Sequence, residues 1–260
     1  MSWRKADGSA EMPFLDHLEE MRWRIIWSLV ALLVGFFVGF YVVYHFDVIG
    51  ILERPIRDLL PGETLKYLSP TTPFFVTFKL AFISGLIAAL PIIMYQLWSF
   101  LSPALYEKER KYVIPAIGVA FLLFLAGVAM AYFLVLPLGL NFLLTFQAEA
   151  LTPMITVDEY LRFATGLILA FGVIFELPVV LVLLAYIGIV TPELLSHFRR
   201  HAIVVLAILS AVLTPADPWT MVMMMAPLVL LYELSIWLIR VLVRPDRRRV
   251  DTSEGEESSA

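Results

Sequence analysis

Two groups of carboxylates flank the long apolar segments of this chain. Asp16, Glu19 and Glu20 precede the first apolar segment, and Glu107 and Glu109 follow the second one. Arginines and lysines are interleaved with them, so a solvated helix face with intrahelical ion pairs is the simplest interpretation. If the two groups meet in space, they form an acidic site at a membrane surface. Such a site suits the N–H fork of a guanidinium group better than the point charge of a lysine.

Glu176 lies inside an apolar segment, in the sequence FELP just before Pro178. A carboxylate within a membrane-spanning helix is costly, and it indicates a function unless a partner accounts for it. Proline removes a backbone donor, so a kink or a polar opening is expected at Pro178. Glu176 is therefore predicted to line a polar groove, with a protonated side chain or a hydrogen bond to a neighbouring helix as the alternatives. Asp217, in the turn TPADP, is equally compatible with a turn residue and with a role at the outer mouth.

Signatures of metal, cofactor and nucleotide chemistry are missing from the sequence. There is no cysteine, which excludes disulfides and thiolate metal sites. There is no glycine-rich phosphate loop and no HExxH motif. His197 and His201 have the spacing for a shared ligand on a helix, but Arg199 and Arg200 between them favour a basic membrane-surface face. We expect no cofactor, no metal site and no enzymatic activity.

Apolar segments that could span a membrane make up most of the chain. Its 260 residues are 60% hydrophobic and 16% charged, whereas a soluble domain is about 45–50% apolar and about 25% charged. A spanning helix needs about 20 apolar residues. The sequence predicts an all-α integral membrane protein with one six-helix domain over residues 1–244 and a disordered tail over 245–260. The predicted spans are 25–44, 76–101, 113–136, 160–187, 201–213 and 219–239.

Several finer features follow from the same patterns. Pro137 is expected to end the third span. The apolar runs of the fifth and sixth spans are short, which predicts a hairpin of short helices or, alternatively, a position where the bilayer is thinned. An amphipathic helix is predicted from Val48 to Leu60, and a capping box from Thr156 to Glu159. Glu233 is expected to pair with Arg240 or with a lipid headgroup.

The basic residues are distributed unequally between the two sides of the membrane. Of the 19 lysines and arginines, 14 fall on the side of both termini and five on the other side. Positively charged residues accumulate in cytoplasmic loops, so both termini are predicted to be cytoplasmic.

Six segments, taken in order, resemble the TatC family of the twin-arginine protein translocase. They are FLDHLEEMRWRI, SPTTPFFVTFKLAF, ALPIIMYQLWSFLSPALYEKERKY, FGVIFELPV, GIVTPELL and LTPADPWT. Each is weak by itself, but together, at compatible spacing, they are highly specific. The resemblance extends from about Phe14 to Ile239.

This resemblance implies a fold, a location and a set of partners. The fold is a glove- or cup-shaped bundle of six helices with short fifth and sixth helices, in the cytoplasmic (inner) membrane. The implied partners are single-span subunits of the TatA and TatB type, other TatC copies, the lipid bilayer and the twin-arginine signal peptides of folded substrates, with no nucleic acid. The implied function is export of folded proteins, driven by the proton gradient.

The resemblance also assigns functions to individual positions. Signal-peptide binding falls on Glu20 and Glu109, supported by Glu19, Phe100, Tyr106 and Arg22. A groove or transport function falls on Glu176, Asp217 and Pro55. Many relatives carry a glutamine early in the sixth helix where this chain has Met221, so partner docking at Met221 and Leu213 is the weakest assignment.

Two other classes of function stay open from the residues alone. A proton-coupled secondary transporter would use Glu176 as its coupling acid. A membrane-embedded enzyme would use Glu176 and Asp217 as a carboxylate pair, although no nucleophile or metal constellation accompanies them.

Overall fold

The computed structural model describes residues 14–57, 59, 65–101, 113–145, 154–213 and 218–243. These residues form helices and turns, with one isolated parallel bridge between Lys66 and Thr156. The predicted all-α architecture is therefore confirmed for this part of the chain. The helices are α1 (Phe14–His45), α2 (Val48–Arg57), α3 (Thr72–Leu101), α4 (Val113–Met130), a π-helical segment (Ala131–Val135), α5 (Leu136–Thr145), α6 (Val157–Ile174), α7 (Leu177–Tyr186), α8 (Pro192–His197), α9 (Arg199–Leu213) and α10 (Pro218–Leu242).

Five segments of the described chain are long and apolar enough to cross a membrane. They match the first, second, third, fourth and sixth predicted spans. The fifth predicted span is α9, whose 15 residues extend about 22 Å, against a hydrocarbon core of ~30 Å. The short fifth helix is thus confirmed, whereas the count of six spans and the orientation of the termini stay predictions. The five segments are Leu18–His45, Thr72–Ser99, Pro115–Thr145, Val157–Tyr186 and Thr220–Leu242.

The third helical segment does not end at Pro137, so that prediction was wrong. The helix runs on through the π-helical segment into α5 and reaches Thr145. Just before the proline, the Leu136 N–H bonds to the Ala131 carbonyl, five residues earlier. A π-helical turn is wider than an α-helical one. The helix therefore accommodates the proline ring and the missing donor without stopping.

The sixth predicted helix is longer than its apolar run suggested. α10 has 25 residues and continues past Glu233 to Leu242. Glu233 is nearly half exposed and pairs with Arg199 at 2.9 Å, so the charge does not end the helix. The predicted pairing of Glu233 with Arg240 was wrong, because Arg240 Nη2 donates to Ser196 Oγ at 3.0 Å. The prediction of a short sixth helix was also wrong, because α10 continues past Glu233.

Residue contacts divide the chain into two compact units, of which the first comprises Met1–Phe121 and Pro153–Thr165. Its most extensive packing joins α1 to α3. Gly35 lies against Gly85, and Gly39 against Ala81, so these two helices are antiparallel. A Cβ atom at Gly85 would lie 2.5 Å from the Gly35 carbonyl oxygen and 2.6 Å from the Phe36 nitrogen. Only glycine permits this backbone approach, which is a common way for membrane helices to associate.

The short helix α2 is attached to the beginning of α6 within the same unit. α2 was predicted, and it ends at Arg57, slightly earlier than expected. The Tyr160 hydroxyl of α6 donates a hydrogen bond to the Leu52 carbonyl of α2. Thr156 caps α6 as predicted, since its Oγ1 accepts the Glu159 N–H at 3.3 Å.

The second unit comprises Leu122–Thr152 and Gly166–Ala260. α4 packs closely against α6 in this unit, where Gly127 lies against Phe171 and Gly172 against Phe124. A hydrophobic cluster then joins α6, α9 and α10. The buried members of the cluster are Ile174, Leu206, Leu228, Leu231, Tyr232 and Ile236.

The single membrane domain over 1–244 stays a prediction, and the tail 245–260 lies outside the described residues.

Replacing Gly85 by alanine tests the α1–α3 packing. The added methyl group would overlap the α1 backbone, and overpacking typically costs about 1–3 kcal/mol. We expect Gly85→Ala to lower the midpoint of thermal unfolding of the purified protein in detergent.

Gly118→Ala is the matched control, because a Cβ atom there meets nothing within 4 Å. Alanine is the better helix former by about 1 kcal/mol. This variant should therefore unfold at the wild-type temperature or slightly above it. Equal midpoints for the two variants would contradict the packing argument.

Candidate functional site

Glu20 and Arg24 form an ion pair on α1. Their spacing of four residues places both side chains on one helix face. Arg24 Nε donates to Glu20 Oε1 at 3.0 Å, and Arg24 Nη2 donates to the same oxygen. The two side chains are only 23% and 22% exposed, whereas Glu19 and Arg22 are exposed. The predicted intrahelical pairing is confirmed, but this pair is not the fully solvated one that the sequence suggested.

The second carboxylate oxygen of Glu20, unlike the first, has no hydrogen-bond donor in the described chain. Glu20 Oε2 is buried and has no hydrogen-bond partner among the described residues. An unpaired buried acceptor costs free energy that an incoming donor recovers. Because the oxygen belongs to a carboxylate, cationic donors would form the strongest bonds. Glu20 thus combines an oxygen that already has donors with one that has none in the described chain.

Gln96 connects this pair to α3. Arg24 Nη1 donates to Gln96 Oε1 at 3.4 Å across the helix interface. All three nitrogens of the Arg24 guanidinium group therefore have acceptors. Nε and Nη2 donate to Glu20 on α1, and Nη1 donates to Gln96 on α3. The site is consequently part of the α1–α3 packing.

Several predicted signal-peptide residues lie beyond what the structure describes. Glu109 and Tyr106 fall outside the described residues, and Phe100 is in α3 but its side chain is not described. The meeting of the two acidic groups therefore stays a prediction. The structure places Glu19, Glu20 and Arg22 together on α1.

Glu176 lies at a break between two helices. α6 ends at Ile174 and α7 begins at Leu177. Pro178 is buried in the first turn of α7, where its missing N–H is tolerated. The Glu176 carbonyl accepts the Val180 N–H at 2.9 Å, so its backbone starts α7. The predicted interruption at FELP is confirmed.

The Glu176 side chain is buried and without a partner in the described chain. It is 6% exposed, and neither carboxylate oxygen has a hydrogen-bond partner there. The alternative of a hydrogen bond to a neighbouring helix is therefore not what this structure shows. Adjacent residues Ile174, Phe175 and Leu177 belong to the hydrophobic cluster with α9 and α10. A carboxylate in such surroundings is costly and indicates a function.

The remaining predicted positions are distributed over other elements. Pro55 lies half-buried within α2, just before the fully buried Ile56. Met221 is half-buried in the first turns of α10. The side chain of Leu213, at the end of α9, is not described, and Asp217 lies outside the described residues. Among the described residues, no group of three or more histidine, aspartate or glutamate side chains could hold a metal ion.

Arg24 and Gln96 were not predicted to belong to the site. The four-residue spacing from Glu20 could have identified Arg24. No sequence pattern could have identified Gln96, because its contact depends on the register between α1 and α3.

Comparison with known proteins gives consistent matches over most of the chain. The model of the family described as TatC, Sec-independent protein translocase protein, matches residues 16–227. The Sec-independent protein translocase protein TatC of Aquifex aeolicus (strain VF5) is 43% identical over 235 residues, which cover 90% of this chain and 97% of the relative. The protein of the same name from Escherichia coli (strain K12) is 35% identical over 238 residues, which cover 91% of this chain and 92% of the relative.

Solved structures agree with these matches. A crystal structure of the twin arginine translocase receptor TatC in DDM has a TM-score of 0.79 at 43% identity, and covers 86% of this chain and 99% of that chain. A second crystal structure of this receptor has a TM-score of 0.77, and covers 88% of this chain and 100% of that chain. The resemblance found in the sequence motifs is confirmed: this chain belongs to the TatC family and is a component of a Sec-independent protein translocase.

Proposed function

We propose that this chain is the receptor subunit that binds twin-arginine signal peptides and initiates the export of folded proteins. The observation that carries this proposal is the Glu20 carboxylate, which has a buried oxygen without a donor beside one that already binds a guanidinium group. The name of the similar solved structures, twin arginine translocase receptor, supports it.

Recognition follows from the chemistry of the two partners. The signal peptide supplies two adjacent guanidinium groups, and Glu20 and Glu109 supply the carboxylates. Glu19, Arg22, Phe100 and Tyr106 border this site. The carboxylates provide specificity, and burial of the apolar part of the signal provides affinity.

The cellular setting belongs to the same proposal. Six helices span the inner membrane, with α9 as the short fifth one and both termini in the cytoplasm, where signal peptides arrive. The translocase is completed by TatA- and TatB-type subunits and by other copies of this chain. The partner subunits dock near Met221 and Leu213, at the end of α9 and the beginning of α10.

Glu176 serves the transport step. Its buried carboxylate, at a break between α6 and α7, provides a polar position within an apolar segment. Together with the short helix α9, it weakens the bilayer locally where the substrate crosses. Asp217 and Pro55 contribute on the outer side, and the proton gradient provides the energy.

Removing the Glu20 charge tests the receptor function. We expect Glu20→Gln to weaken the binding of a twin-arginine signal peptide to the purified, detergent-solubilised chain roughly 10-fold. Hydrogen bonds to charged groups contribute about 1.5–3 kcal/mol, and the partial exposure of Glu20 favours the lower end of this range. The same peptide with two lysines should bind weakly to both proteins.

Asp158→Asn provides the matched control. Asp158 forms an ion pair of the same spacing with Arg162, at 3.0 Å, but it lies in the first turn of α6. This variant should bind the twin-arginine peptide as the wild type does. The receptor assignment is wrong if the wild type binds both peptides equally, or if Glu20→Gln binds them unchanged.

Replacing Glu176 by leucine separates function from stability. Leucine fills the space with apolar atoms and removes two unsatisfied oxygens, so the thermal midpoint of the purified protein should rise. Export of a twin-arginine reporter in cells, measured at equal protein level, should fall at least several-fold.

Glu176→Gln keeps the size and polarity of the side chain and should retain more export than Glu176→Leu. A structural role alone would predict that stability and export change in the same direction. Normal export by Glu176→Leu would contradict the proposed role of Glu176 in transport.

A further inference from the structure

Among the described residues, Arg24 is the one that connects the Glu20 carboxylate to α3. Its guanidinium group gives two donors to Glu20 Oε1 and one donor to Gln96 Oε1. A glutamate side chain has several rotatable bonds and loses freedom when it binds a ligand. Two donors on one of its oxygens hold the carboxylate in a fixed orientation before any ligand arrives. Such preorganisation increases affinity because the cost of ordering is already met.

The position of Gln96 follows from the glycine packing of the helices. Gly35 lies against Gly85 in the antiparallel pair. Arg24 lies 11 residues before Gly35, and Gln96 lies 11 residues after Gly85. Equal steps in opposite directions along antiparallel helices arrive at the same level. The close contact of the glycines therefore sets the register that brings Gln96 to Arg24.

We propose that Arg24 and Gln96 are positioning residues, which hold the Glu20 carboxylate with Oε1 occupied and with Oε2 lacking a donor that a guanidinium group of the signal peptide supplies. This inference rests on the proposed receptor function and adds two residues outside the assigned site. It accounts for the buried Oε2 that has no partner in the described chain.

The same geometry explains a preference for arginine. Arg24 shows that two nitrogens of one guanidinium group reach a single Glu20 oxygen. A signal-peptide arginine makes the equivalent pair of contacts with Oε2. A lysine has all its donors on one nitrogen and can direct fewer of them at the same carboxylate oxygen. If Glu20 turned freely, both of its oxygens would face any cation, and this discrimination would weaken.

The test compares the dissociation constants of a twin-arginine and a twin-lysine signal peptide for the full-length chain in detergent. Gln96→Met removes the acceptor but keeps the length of the side chain. It should reduce the arginine-to-lysine selectivity roughly 3- to 10-fold, as expected for the loss of one modest hydrogen bond. Gln96→Glu restores an acceptor for Arg24 and should restore the selectivity.

Arg24→Lys keeps the positive charge beside Glu20 but cannot supply two donors from separate nitrogens. It should reduce the selectivity by about 10-fold or more, because charge-assisted bidentate contacts are the stronger kind. Thermal midpoints, measured in parallel, identify folded variants. If Arg24→Lys does not fold, Gln96→Met decides, because it leaves both charges of the pair in place.

The outcomes separate this inference from the function on which it rests. If the wild-type chain binds the twin-arginine and twin-lysine peptides equally, the proposed receptor function itself is wrong. If the wild type is selective and Glu20→Gln is not, the receptor function holds. The positioning role is then overturned by folded Gln96→Met and Arg24→Lys variants with wild-type selectivity. Tighter arginine binding by Arg24→Lys would also overturn it, because Arg24 would then compete with the ligand.

Discussion

The contact between Gly35 and Gly85 is the constraint on which the first unit depends. Two helices approach this closely only where neither carries a side chain, so the contact fixes their relative position along the membrane. That position brings Gln96 to Arg24 and thereby orients Glu20. A packing feature within the apolar segment thus determines the geometry of a polar site 11 residues away along each helix.

The second unit combines a well-packed core with a polar group that the core does not satisfy. Large side chains from α6, α9 and α10 bury one another around Ile174 and Leu228. Glu176 interrupts this arrangement, because its buried oxygens have no partner among the described residues. Proteins keep such costly groups where function requires them, at the expense of stability. The break between α6 and α7 gives the side chain this position while Pro178 starts the next helix at little cost.

The sequence-based errors share one physical cause. The third span was predicted to end at Pro137 because a proline lacks a backbone donor, and the sixth helix was predicted to be short because its apolar run stops before the charge of Glu233. Each effect is compensated by a neighbour: a π-helical turn precedes Pro137, and Arg199 pairs with the exposed Glu233. The pairing of Glu233 was also assigned to the wrong arginine. Local propensity does not include such compensation, which arises from contacts with residues elsewhere in the chain or from a change of helical register.

The amino-acid sequence alone was enough to predict the all-α membrane architecture, the approximate positions of the helices and the family, because apolar segments of spanning length and ordered motifs are local properties of the chain. It also identified Glu176 as a costly charge within an apolar segment and Glu20 as a member of an acidic group before the first one. The packed helices were needed to show which oxygen of Glu20 lacks a described partner, that Glu176 is buried without one, and that Gln96 contacts Arg24. These properties depend on the register and burial of packed helices, which bring together residues distant in sequence.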